Sequence, residues 1–383
     1  MARGARAGRD VVIEAVRALV PRIVAAADDI EAGRRLPGGL VSALVDAGVF
    51  RLCVPRALGG VEAHPGVLVD VIETLAAADG STGWCAAIGA TSGVVSAYLP
   101  EGAARAIYGE PRVVTGGVFA PCGTAVPEGG GYRVSGRWPF ASGSEHCAWL
   151  MGGCLVRDGG PPRARLMLFP AAEARILDTW TVAGLRGTGS HDMTVDGILV
   201  PAERSASVMD DRPRATGSLY AFPVFGLLAS GIAAVALGIA RRAIEELVRL
   251  ASGKTPQGSR RTLAERGVVQ AQVAEAEALV RAGRAFLDDA IGRAWRAAET
   301  TGALAATERA QLRLAATHAT TSAARATDLM YNAGGGTSVY ATSPLQRCFR
   351  DVHVATQHAM VGASTWELTG RLLLGLETDT SQL

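Results

Sequence analysis

Three short segments of this 383-residue chain carry the side chains best suited to chemistry. Gly184-Leu185-Arg186-Gly187-Thr188-Gly189-Ser190-His191-Asp192 mixes glycines, which let backbone approach a cofactor closely, with small hydroxyls that can satisfy its polar atoms. Upstream, Gly136-Arg137-Trp138-Pro139-Phe140-Ala141-Ser142-Gly143-Ser144-Glu145-His146-Cys147-Ala148-Trp149 gathers indoles, hydroxyls and an imidazole. Downstream, Gly334-Gly335-Gly336 precede Pro344-Leu345-Gln346-Arg347-Cys348-Phe349-Arg350-Asp351, and then His353 and His358. A neutral imidazole near a cofactor can take a proton from a phenol, indole or amine, or donate a hydrogen bond to an oxygen atom. Each segment also has a plainer reading: a strand and turn around a buried Trp, a Gly-rich hairpin with no ligand, and structural histidines. A helix C-cap would explain one glycine of 334–336, but not three with the arginine-aspartate sequel.

The elements that must hold these segments follow from the pattern of apolar residues. From Val11 to about Glu110 the spacing is helical, broken at Pro37-Gly38-Gly39 and Leu58-Gly59-Gly60. From Pro111 to about Arg212, short alternating runs split by Gly and Pro predict a small antiparallel β-domain. Long helical patterns return from Tyr220, and the last, near Leu345 to Leu374, completes an up-and-down four-helix bundle. The expected architecture is therefore mainly α with an inserted β-domain: residues 1–110 helical, 111–212 β, and 213–383 bundle. No internal repeat is visible.

Composition narrows the function classes. At 49% hydrophobic and 19% charged, the chain has the material for packed domains and is not globally disordered. Every basic residue except Lys254 is an arginine, and the arginines are scattered rather than striped, which argues against nucleic acid. Six cysteines without a Cys-x-x-Cys pair are read as reduced thiols of a cytoplasmic protein, with no metal site. The N-terminal MARGARAGRD runs into an amphipathic stretch and not into an apolar export core. Ala215 to Ala240 carries no charge and is long enough to span a bilayer, but its Gly, Ala and Ser content, Pro223 and charged continuation favour a buried core helix over a membrane helix. A dinucleotide-binding Rossmann unit is excluded, because no Gly-x-Gly-x-x-Gly follows an early strand.

In this order and spacing, the three segments resemble those of the acyl-CoA dehydrogenase superfamily, and more closely its group D two-component flavin monooxygenases. The resemblance spans nearly the whole chain. It implies that Trp138, Ala141 and Ser142 lie at the flavin edge, with Ser142 beside N5, and that Arg186, Gly187, Thr188 and Ser190 line the same cofactor. It also implies that Gly334, Gly335 and Gly336 meet the flavin's nucleotide end across a subunit interface, so a homotetramer, or at least a dimer, is expected.

A dehydrogenase of this superfamily needs a carboxylate to remove the substrate α-proton. The resemblance puts that base at Ala359 or within the uncharged Ala215 to Ala240, and Val352 to Trp366 contains no Asp or Glu. It puts the active-site histidine of the oxygenating branch at His358, with His353 on a different helix face. His146 and His191 remain secondary candidates, and His64 and His318, outside any motif, are read as structural. The function implied is a monooxygenase: reduced FAD, with FMN possible, arrives from a separate reductase, and O2 supplies the oxygen transferred to an electron-rich small molecule. The alternatives are an acyl-CoA dehydrogenase-type FAD oxidoreductase, a catalytically silent structural subunit, and N-oxygenation of an amino sugar.

Overall fold

The computed structural model describes residues 2–383, with side chains described from Val11 onward; Met1 lies outside the described residues. The MARGARAGRD stretch beyond Met1 forms the first turns of helix α1 (Ala2–Gly33). Val12, Val16, Ile23 and Ile30 recur on one stripe of α1 and are all buried, which is what fixes this long helix to the body. Four further helices complete the N-terminal part: α2 (Gly38–Asp46), α3 (Pro65–Ala78), α4 (Gly80–Ser92) and α5 (Glu101–Tyr108).

Helix α4 matters most for the site. Asp79 caps it, accepting from the Thr82 N–H at 2.7 Å and the Thr82 hydroxyl at 2.8 Å. Nearly every residue of α4 is buried. Its Gly83 lies so close to the Ala76 backbone of α3 that a Cβ could not be added without displacement, so the two helices pack at close range.

The middle of the chain forms one sheet: β1 (Thr115–Glu128), β2 (Gly131–Trp138), β3 (Trp149–Val156), β4 (Arg163–Pro170), β5 (Arg175–Leu177), β6 (Asp192–Pro201) and β7 (Ser205–Ala206). The strand order is β5-β6-β2-β1-β3-β4-β7. Gly129 and Gly130, both with positive φ, make the two-residue turn between β1 and β2, where side-chain-bearing residues would be strained. The expectation of a purely antiparallel domain is corrected here, because β1 and β3 run parallel. Alternation specifies which face is buried, not strand direction.

The C-terminal helices are α6 (Ser218–Ala221), α7 (Val224–Gly253), α8 (Gly267–Thr301), α9 (Ala306–Gly334), α10 (Pro344–Ala355) and α11 (Ala363–Leu373). Helix α7 is long and apolar enough to cross a membrane, but most of that apolar stretch is buried inside the protein, against α3, α4, α9 and α10. The fourth element of the bundle differs from expectation. Instead of one helix near Leu345 to Leu374, the chain leaves α10 at Ala355, passes through an irregular turn and restarts at Ala363. That turn contains His358.

Candidate active site

The two side chains expected to do the chemistry, Ser142 and His358, are joined through a third that the sequence reading did not single out. Trp84, on α4, donates its indole N–H to Ser142 Oγ at 3.0 Å. Its ring meets the His358 imidazole edge-to-face, with centroids 5.6 Å apart. The signal that could have found Trp84 is its setting. Ser81 to Leu99 carries no charge, and a buried indole N–H in such a stretch must find a polar partner from elsewhere.

Ser142 belongs to a buried row of hydroxyls. Its Oγ lies 2.7 Å from Ser190 Oγ, which lies 2.6 Å from Thr188 Oγ1. Thr188 Oγ1 also lies within 2.9 Å of the Leu185 carbonyl, to which it donates. Backbone bonds lock the two segments together: Ala141 N–H donates to His191 O at 2.9 Å, and Gly143 N–H to Thr188 O at 2.8 Å. The two motifs are thus one structure.

The turn bearing Thr188 is itself gripped by α10. Asp351 Oδ1 accepts from the Leu185 N–H at 2.6 Å, and Arg350 donates to the Ala183 carbonyl. Leu185 has φ 50°, a strained value for a residue with a side chain. Burial, which dominates over the opposing Leu185 N–H, pushes the Asp351 carboxyl up to about 7. Gly187 passes so close to Ile30 of α1 that a side chain there would collide.

His358 follows α10 and accepts from the Met360 N–H through Nδ1 at 3.2 Å. With Nδ1 accepting, the neutral ring carries its proton on Nε2. Burial, reinforced by the positive charge of Arg313, pulls the imidazole down to about 4, so it is uncharged at neutral pH.

Other expected site residues lie elsewhere. Trp138 is fully buried in the sheet's own core, its indole N–H bonded to Gly153 O at 2.6 Å and its ring packed near Phe169. It shares a segment with Ser142, but its indole is not in the hydroxyl row. Ala141 is buried beside that row, and Arg186 is half-buried with no hydrogen-bond partner for its guanidinium among the described residues. Gly334, Gly335 and Gly336 sit where α9 ends. Lys254 donates to Gly334 O at 2.7 Å and Thr337 Oγ1 at 2.6 Å, and no bond among the described residues links this loop to the hydroxyl row.

The remaining histidines have structural partners or lie apart from the row. His353 pairs with Asp328 at 2.8 Å and packs on Phe349. It is separated from His358 because the helix ends between them, not because of the rotation expected along a continuous helix. His191 Nδ1 accepts the Thr179 and Trp180 N–H groups, His64 caps α3 through Gly66, and His318 packs on Phe286. His146 is half-buried, and burial lowers its pKa.

Three hydroxyls and an unpartnered Arg186 suit the polar rim of a flavin, and Ser144 Oγ is a further buried polar atom with no partner. No group of metal-ligating side chains occurs among the described residues. Both positions for a dehydrogenase base lack a carboxylate: Ala359 lies in the turn, and the first acidic residue of α7 is Glu245.

Comparison with known proteins identifies the family. The acyl-CoA dehydrogenase N-terminal domain family matches residues 6–104, and the acyl-CoA dehydrogenase C-terminal domain family matches residues 230–363. Indole-3-acetate monooxygenase of Pseudomonas putida is 36% identical over 351 residues, covering 89% of this chain and 88% of that protein. The flavin-dependent monooxygenase oxygenase subunit HsaA of Mycobacterium tuberculosis is 33% identical, covering 91% of each chain. The structure of XiaF from Streptomyces sp. in complex with FADH2 and glycerol superposes with a TM-score of 0.92 at 27% identity, covering 98% of each chain. Fold and site thus define an acyl-CoA dehydrogenase-like flavoenzyme. Within that superfamily, the chain belongs to the flavin-dependent monooxygenases.

Proposed function

We propose that this chain is the oxygenase component of a two-component system, taking reduced flavin from a separate reductase and inserting one atom of O2 into an electron-rich aromatic or amine-bearing small molecule. The observation that carries the reading is the contact chain from the Ser142–Ser190–Thr188 hydroxyls through Trp84 to a neutral His358, with no carboxylate at either dehydrogenase base position. Relatives named for action on indole-3-acetate and resorcinol favour aromatic substrates, and the FADH2 of one structural neighbour favours FAD, with FMN as the second choice.

When bound, reduced flavin supplies the two electrons that convert the second oxygen atom to water. The protein's part is assigned as follows. Ser142, steadied by Trp84 and Ser190, holds the flavin edge, and Thr188 extends the row. Arg186 offers a positive charge to the electron-rich cofactor. His358 has no free lone pair at Nδ1 and a low affinity for a further proton, so it acts as a hydrogen-bond donor through Nε2 to a reacting oxygen, and not as a base. The buried α4 and α7 exclude water from this side.

The working assembly is a homotetramer in the cytoplasm. Val339 and Tyr340 beside the glycine loop, and Trp366, Leu373 and Leu374 at α11, expose large apolar surfaces suited to contact between copies, and all six cysteines are free thiols. Light scattering would read a tetramer; a fully active monomer would contradict it. For the reaction, oxygen consumption and product formation with indole-3-acetate or resorcinol should require an added flavin reductase. Anaerobic oxidation of an acyl-CoA thioester would replace this reading with the dehydrogenase.

A further inference from the structure

Arg313, on α9, is 3% exposed, yet its hydrogen-bond acceptors are all neutral: Met360 O at 3.2 Å from Nε, Thr365 Oγ1 at 3.5 Å from Nη2, and Gln382 O from Nη1. A buried guanidinium normally has a carboxylate partner, because desolvating an unpaired charge is costly. Here burial lowers its pKa instead. All three acceptors lie in the chain beyond α10, so this side chain, with Arg309 donating to the Thr380 carbonyl at 3.3 Å, helps tie residues 360–382 to the bundle. Met360 takes the Arg313 bond at its carbonyl and gives its own N–H to His358 Nδ1.

We propose that Arg313 is a positioning residue that fixes Met360, and through it holds the His358 ring in the single tautomer with the proton on Nε2. The proposal rests on the reading of His358 as the group that donates to the reacting oxygen. After burial, the positive charge of the same guanidinium also disfavours a proton on His358. From α4 the ring meets the neutral Trp84 indole, in its own turn it is bonded to the Met360 N–H, and the His353–Asp328 ion pair joins α10 to α9. Geometry and charge therefore act together: the bond to Met360 sets which nitrogen is bare, and the charge opposes a second proton. An unpaired arginine is suited to this, since a carboxylate beside it would cancel the field at the imidazole.

The test is nitrogen-label NMR of the imidazoles in the full-length protein, with the His358 signal assigned by its loss in His358→Asn. The wild-type ring should show a bare Nδ1 and no titration until the pH approaches about 4. In Arg313→Met the midpoint should rise by about one to two pH units, the shift typical of removing a near like charge, and the single tautomer should be lost. Arg313→Lys, which keeps the charge, should restore most of the low midpoint. A wild-type ring protonated on Nδ1, or titrating near its ordinary value, overturns the proposal, as does a folded Arg313→Met with an unchanged ring. Should Arg313→Met fail to fold, the wild-type spectrum alone decides. If the ring responds as expected but the product formed per O2 consumed does not change, the positioning role stands and the catalytic role assigned to His358 falls.

Discussion

Replacing His358 with alanine is the most informative single perturbation, because this side chain joins the turn after α10 to the Ser142 row. The substitution deletes the ring that meets Trp84 and leaves the Met360 N–H without its acceptor. The Met360 N–H lies in a turn only partly shielded from solvent, so the stability cost should be about 1 kcal/mol, toward the low end for a lost hydrogen bond. Ser142 keeps both its Trp84 and Ser190 partners, so flavin affinity should change little. Removing one hydrogen-bond donor to a reacting oxygen typically costs about 10²-fold, close to 2.7 kcal/mol of barrier. The assay is a balance sheet: product and hydrogen peroxide measured together per reduced flavin consumed. His358→Ala should lose product by roughly that factor, with the missing turnovers recovered as peroxide. His353→Ala is the control. It breaks a half-exposed pair with Asp328, typically worth under about 1 kcal/mol, and should stay within about twofold of wild type. Equal losses in the two variants, or normal coupling in His358→Ala, would refute the assignment.

Trp84→Phe keeps a ring beside His358 but removes the donor to Ser142, so it should weaken reduced-flavin binding measured anaerobically by about five- to tenfold, the worth of one buried hydrogen bond; unchanged binding would show that Ser142 needs no such support. Asp351→Ala strands the buried N–H of the strained Leu185 and should cost about 1–3 kcal/mol in thermal denaturation, whereas Asp351→Asn keeps an acceptor and should recover most of it. The pH dependence of stability has a sign that can be worked out. The folded His358 pKa, about 4, lies below the ordinary 6.5, so the unfolded chain takes up the proton first, and stability is lost as pH falls from about 6.5 toward 4. Melts at pH 7 and pH 5 should therefore converge in His358→Asn relative to wild type, by on the order of 2 kcal/mol; identical pH responses would contradict the low pKa.

The order of helices, sheet and bundle was legible because apolar period and Gly/Pro punctuation are local properties. The resemblance put Ser142 and Ser190 at one cofactor without indicating that their hydroxyls touch, which they do at 2.7 Å. Three further features were not legible. The break between α10 and α11 is held by Arg313 and Met360, a tertiary contact, while the apolar spacing runs on through it as though the helix continued. The resemblance puts Trp138 at the cofactor, but Gly123, Gly136 and Gly152 open a slot for its indole inside the sheet, and glycines on three different strands give no sequence signal as a set. Trp84 lies far from every motif and reaches Ser142 only because α4 packs against the turn after β2.

The central claim is that one atom of O2 enters the organic product. Turnover with a flavin reductase, an aromatic acceptor and isotopically heavy O2 tests it most directly, read by mass spectrometry of the product. The account predicts a single heavy oxygen atom in each product molecule and none when heavy water replaces heavy O2. Product that forms without O2, or whose new oxygen comes from water, would contradict it.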